Sequence, residues 1–144
     1  MVQEVFGFGV DGILQQYQTY LKTYIPPNFS HSAFLKHMNK NRYKDVLCLD
    51  HTRVVLQDKD PDADYIHANY VKGEPLINSF ICTQAGHLFA FFGPMSVTVN
   101  DFWLMIVQER VSSIVMLCNV TEAGKNKCFQ YWPAEAGSSL TFGG

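Results

Sequence analysis

Thr98-Val99-Asn100-Asp101-Phe102-Trp103-Leu104-Met105-Ile106 lies between two apolar segments, Phe80-Ile81-Cys82-Thr83 before it and Ile114-Val115-Met116-Leu117 after it. Thr98 with Asp101 three residues on has the form of a capping box. Phe102, Met105 and Ile106, with Trp103 beside them, recur at helical spacing and predict a helix with that face turned inward. The run at 114–117 is apolar at every position, the pattern of a central strand covered on both faces. A helix joining two such strands points to an α/β fold, a mixed sheet flanked by helices.

Working outward, short runs rich in β-branched and aromatic residues predict strands over 53–56, 65–71, 80–83, 113–118 and 129–132. Nearer the N-terminus, Leu14, Tyr17, Leu21 and Tyr24 form a helical stripe between Asp11-Gly12 and Pro26-Pro27, and a second helix is expected over 32–38. These two helices make residues 1–40 a helical lead-in. No repeat or low-complexity segment interrupts the chain. Phe142-Gly143-Gly144 follows the turn-like Gly137-Ser138-Ser139 rather than an element that would close a domain.

The 144 residues, 47% hydrophobic and 17% charged, fit one globular domain, and 14% aromatics supply bulky filling for a core. A net charge of −2 offers no basic field for nucleic acid or anionic lipid. No apolar run reaches the ~18 residues a membrane span requires, and the first residues lack the pattern of a secretory signal, so a cytoplasmic location is expected. Asn28-Phe29-Ser30 and Asn119-Val120-Thr121 then match the glycosylation sequon without consequence. Cys48, Cys82, Cys118 and Cys128 form no Cys-x-x-Cys pair and read as reduced, buried thiols. The five histidines are scattered without zinc spacing, so neither a metal nor any other cofactor is expected.

Three motif-like stretches fail their context. Gly7-Phe8-Gly9-Val10-Asp11-Gly12 has the dinucleotide fingerprint before a helix, but two prolines follow that helix where a parallel strand should return. Asp58, Asp60, Asp62 and Asp64 alternate as in a calcium loop, yet Ala63 replaces the turn glycine and Asn69 the bidentate Glu. Gly137-Ser138-Ser139-Leu140-Thr141 has Thr where a nucleophile elbow needs its second Gly.

Lys40-Asn41-Arg42-Tyr43-Lys44-Asp45-Val46 sets an aromatic ring, a carboxylate and three cations in one segment before a strand. Such a loop can line a slot with Tyr43, attract an anion and accept hydrogen bonds at Asp45, though a solvated turn has the same composition. Its companions give it meaning: Asp64-Tyr65-Ile66-His67-Ala68-Asn69-Tyr70, Phe80-Ile81-Cys82-Thr83-Gln84, Asp101-Phe102-Trp103, Ile114-Val115-Met116-Leu117 and Lys127-Cys128-Phe129-Gln130-Tyr131-Trp132-Pro133. In this order the segments resemble the N-terminal half of the tyrosine-specific protein phosphatase domain, over residues 41–144, with wording similar to nematode-type members.

The resemblance implies a twisted mixed sheet flanked by helices, hydrolysis of phosphotyrosine on proteins through a cysteinyl-phosphate, and no metal. Carried over by position, Tyr43 would stack on the phosphotyrosine ring and Asp45 would hold the substrate backbone. Glu122 and Lys127 fall where the family has a supporting loop for the phosphate-binding Arg. His67 stands where the family more often has Asn.

The family's chemistry needs a low-pKa thiolate, a phosphate cradle with an Arg separated from the Cys by five intervening residues, and an acid for the leaving phenolate. No cysteine here has Arg at that spacing; Cys48 comes nearest, with Arg53 one residue too close. Trp132-Pro133 is followed by Ala134 rather than Asp. The sequence therefore predicts no catalytic residue of its own, a truncated domain, and an inactive chain. The alternative is a non-catalytic fragment that binds phosphotyrosine or another protein.

One stretch departs from the family inside the match. Thr83-Gln84 is separated from Gly93-Pro94 by residues 85–92, an apolar insertion that reads as a gene-model feature or a partner-binding loop.

Overall fold

The computed structural model describes residues 2–58, 60–74, 76–83, 85–86, 90–91 and 93–143. Helix α1 (Val2–Gln16) continues as a π-helical turn over Tyr17–Leu21. It starts well before the expected Asp11-Gly12 boundary. Gly9 interrupts it at φ 60°, ψ −179°, a conformation only glycine adopts without strain. The stripe on its far end finds no cover: Leu14 is 45% exposed, Leu21 65% and Tyr24 65%. The far end of this first helix therefore has the periodicity of an amphipathic helix while its apolar side chains stay exposed.

Helix α2 (Ser32–Lys36) is short and passes into a 3₁₀ turn at Met38–Lys40. Its cap comes from far along the chain. The Asp50 carboxylate accepts hydrogen bonds from Ser32 N at 2.7 Å, Ala33 N at 3.0 Å and the Ser30 hydroxyl at 2.6 Å. Anions at a helix start satisfy its orphan N–H groups, and these bonds hold the Asp50 carboxyl below its usual range.

The main sheet contains β1 (Arg53–Val55), β2 (Tyr65–Val71) and β3 (Phe80–Thr83) in the order β1-β2-β3, antiparallel throughout. Its centre is β2, whose first four residues are all buried. On one face, Ile66 and Ala68 join Val54, Leu56, Cys128 and Tyr131 in the larger core cluster. On the other, Tyr65 packs with Phe34 and Cys48 in a second cluster, with Phe34 edge-on to His67. The strand covered on both faces is thus β2, whose alternating polar positions hide that role.

Helix α3 (Val99–Gln108) lays Val99, Phe102 and Met105 on the larger cluster, as the periodicity predicts. Its expected capping box is not formed. The Thr98 hydroxyl instead accepts from Met95 N at 3.0 Å, and Asp101 turns away to Lys40. The helix ends with Arg110 at φ 50°; Arg110 N donates to Val107 O and Val111 N to Ile106 O. That is a Schellman closure in which Arg occupies the position usually given to Gly.

Two expected strands are corrected. Residues 113–118 and 129–132 carry no ladder among the described residues; Val115 is 77% exposed and Leu117 58%. Apolar content suits a segment to a sheet, but a ladder needs a neighbour's N–H and C=O groups, and among the described residues β3 pairs with β2 alone. An apolar cavity of about 330 Å³ is lined jointly by β3 and by Ile114, Val115, Met116 and Leu117. The architecture is accordingly mixed α/β, with helices on a small antiparallel sheet.

Two hairpins complete the chain. β4 (Ala85–Gly86) pairs with β5 (Ala90–Phe91) inside the 85–92 insertion, whose residues His87, Leu88, Phe89 and Phe92 lie outside the described residues. β6 (Thr121–Glu122) pairs with β7 (Lys125–Asn126) around Ala123 and Gly124, both at positive φ. Among the described residues no helix is long and apolar enough to cross a membrane.

Candidate functional site

The loop at 41–47 runs from the 3₁₀ turn toward β1 and is fastened by its first residues. Asn41 is buried and spends both ends of its amide. Its Nδ2 donates to Phe34 O at 2.9 Å and His37 O at 3.2 Å; its Oδ1 accepts from the Tyr65 hydroxyl at 2.6 Å and lies 3.2 Å from His67 Nδ1. Because that oxygen can only accept, His67 carries its proton on Nδ1. Burial lowers the His67 pKa to about 4, which keeps the ring neutral, and burial likewise pushes the Tyr65 phenol far up.

Lys40 and Arg42 flank this anchor. Lys40 Nζ sits 3.0 Å from Asp101 Oδ2 and donates to Tyr65 O at 3.3 Å, with the Lys40 and Asp101 side chains each only 18% exposed. Asp101 nonetheless has a raised pKa, because desolvation of its carboxylate outweighs the attraction of Lys40. Arg42 Nη2 donates to Gly93 O at 3.3 Å, tying the loop to the segment before α3. The sequence flagged the cations of this loop but not Asn41, whose type at a turn ordinarily signals local backbone bonding rather than a buried hub.

Beyond these anchors Tyr43 is half-buried, while Lys44 and Asp45 are exposed. A half-buried ring two residues from an exposed carboxylate can present an aromatic wall and an acceptor to a ligand. Glu122 lies on β6 and its Oε1 accepts from Asn119 N at 3.0 Å. Lys127 follows β7 and its N–H donates to Val120 O at 2.8 Å. The loop and this hairpin meet through Arg42. A cavity of about 370 Å³ is lined by Arg42 together with Val120, Asn126 and Cys128 of the hairpin region, whereas Tyr43, Asp45, Glu122 and Lys127 do not line it.

Of the four thiols, all expected to be buried, Cys82 is exposed and Cys118 partly so, and the two buried ones lack the surroundings of a nucleophile. Cys48 is fully buried and its pKa is raised by that burial; Cys128 is pushed up to about 11, by burial first and then by Cys118. A reactive thiolate requires the opposite, an electropositive and partly open setting. Among the described residues no three His, Cys, Asp or Glu side chains are grouped to hold a metal ion.

A family model described as Protein-tyrosine phosphatase matches residues 37–144. The chain is 43% identical over 108 residues to Tyrosine phosphatase-like protein J1 of Microplitis demolitor bracovirus, covering 75% of this chain and 33% of that protein. It is 38% identical over 134 residues to human Tyrosine-protein phosphatase non-receptor type 9, covering 92% of this chain and 21% of that protein. Tyrosine-protein phosphatase Lar-like of Caenorhabditis elegans is 41% identical over 117 residues, covering 80% of this chain and 5% of that protein. The chain thus spans a third or less of the length of these relatives.

Proposed function

This chain belongs to the protein-tyrosine phosphatase family, and on that premise we propose that its 41–47 loop is a recognition wall for phosphotyrosine on proteins or peptides. Tyr43 stacks on the substrate ring, and Asp45 accepts N–H groups of the substrate backbone. Glu122 and Lys127 brace the neighbouring loop. The nematode-type wording has support in the likeness to the C. elegans protein. A cytoplasmic location suits a reader of intracellular phosphotyrosine.

The observation that carries this reading is the anchoring of three consecutive residues. Lys40 on Asp101, Asn41 on Tyr65 and Arg42 on Gly93 leave Tyr43 half-buried and Asp45 exposed at the end of a fastened segment. A wall held in advance loses little conformational entropy when a ligand arrives.

Cleavage is a separate matter. With no Cys and Arg at the spacing of a phosphate cradle, the chain is proposed to bind without turning substrate over. Calorimetry with a phosphotyrosine peptide and its unphosphorylated counterpart tests the wall. Heat is expected for the first only, and is lost in Tyr43→Ala. An aryl phosphate assay on the same preparation is expected to show no turnover, and turnover abolished by mutating any one cysteine would refute the inactive reading.

A further inference from the structure

Residues 111–117 leave helix α3 and run without turn, bend or ladder. Among the described residues, no backbone N–H or C=O from Ser112 to Leu117 is hydrogen-bonded. Side chains alternate along the run as in a strand: Met116 packs against the larger core cluster, while its neighbours Val115 and Leu117 are 77% and 58% exposed. A row of open backbone groups beside exposed apolar side chains is a template for another strand.

The β1 side of the sheet is treated differently. Gln57 N donates to Gln108 Oε1 at 2.7 Å and Gln108 Nε2 donates to Val55 O at 2.9 Å, so one side chain closes the end of β1. Over 112–117 no side chain plays that part among the described residues. From Val111 to Thr121 there is also no charged residue or proline of the kind that blunts an edge.

Charge selects the occupant. Pairing between two copies across a two-fold axis sets uncharged residues against uncharged residues, whereas a strand carrying charge would find no counter-charge in the run. Exposed Arg110 precedes the run and Glu122 follows it, so an antiparallel arrangement brings Arg110 of one copy toward Glu122 of the other, and a parallel one would set Arg110 beside Arg110. A net charge of −2 opposes the approach of two chains only weakly. We propose that residues 112–117 are a dimer interface, along which a second copy of this chain lays its own 112–117 as an antiparallel strand. The pairing satisfies the open N–H and C=O groups and covers Val115 and Leu117 of both copies.

Sedimentation velocity and amide hydrogen exchange on the full chain over one concentration series test this. The expected result is a monomer that passes to a dimer plateau, with the amides of 112–117 gaining protection in step. Val115→Lys changes an exposed side chain and should raise the concentration of half-dimerisation by at least about tenfold, since the two-fold sets the new cation near its own copy. Val115→Thr, similar in shape and uncharged, should keep the dimer. A monomer throughout the series overturns the proposal: protected 112–117 amides would mean that the chain's own residues cover the edge, and unprotected ones that it takes a different partner. Growth past the dimer without a plateau overturns it, as does a dimer in which these amides exchange as fast as in the monomer or one that Val115→Lys leaves equally tight. The wild-type series decides even where the lysine variant fails to fold.

Discussion

The Tyr65 hydroxyl donates a 2.6 Å hydrogen bond to Asn41 Oδ1, joining the first residue of the central strand to the start of the 41–47 loop. The same amide satisfies Phe34 O and His37 O, so one side chain fastens α2, β2 and the loop together. Asn41→Ala strands the Tyr65 hydroxyl and the Phe34 carbonyl in a buried place, at roughly 1–3 kcal/mol for each unmet group. A loss of about 3 kcal/mol in urea unfolding is expected, with a smaller loss for Tyr65→Phe. Equal losses for the two variants would show that Asn41 is not the hub.

His67 makes stability depend on pH. Its folded pKa is lowered to about 4 from 6.5 by burial, so between those values the unfolded chain binds more protons than the folded one. Stability therefore falls as pH drops from 6.5 toward 4, by at most about 3 kcal/mol from this residue. His37, lowered by burial and then by Lys36 and Lys40, acts in the same direction, while Asp101, raised by burial, acts in the opposite one. The wild type minus His67→Asn difference isolates His67. That difference should fall on acidification, and a difference independent of pH would mean that the ring titrates normally.

The Lys40–Asp101 pair separates charge loss from charge stranding. Lys40→Met leaves a carboxylate that is already hard to ionise without its cation, whereas Asp101→Asn leaves a lysine that still donates to Tyr65 O. The first change is expected to cost about 2 kcal/mol and the second about 1. A double-mutant cycle should show coupling, and strictly additive losses would count against a working pair.

How much of this was readable follows from what each pattern encodes. β2 and β3 occupy the expected spans and α3 buries the expected face, because alternation and helical spacing record burial directly. Residues 113–118 look just as strand-like, but sequence pattern carries no information about whether a partner strand lies alongside. Thr98 had the right type for a cap, and its hydroxyl is taken by the preceding turn. At the site, Tyr43 and Asp45 stood out by type. The fastening by Asn41 and Asp101 did not, since it depends on contacts across 24 residues from Asn41 to Tyr65 and from Lys40 to a helix far along the chain.

Gly93 shows why a side chain is absent at the junction of loop and core. A Cβ built there would fall 2.1 Å from Cys128 Sγ and 3.1 Å from Cys128 Cβ, and the Gly93 carbonyl is the acceptor for Arg42. Gly93→Ala must push Cys128 out of the larger cluster or move the backbone that holds Arg42, at about 2 kcal/mol on the scale of overpacked cores. Removing the obstructing sulfur with Cys128→Ala should recover part of that loss. The double variant is therefore expected to be more stable than the sum of the two single losses implies, measured by urea unfolding. Simple additivity would mean that the methyl finds room without displacing Cys128, and that Gly93 serves the backbone alone.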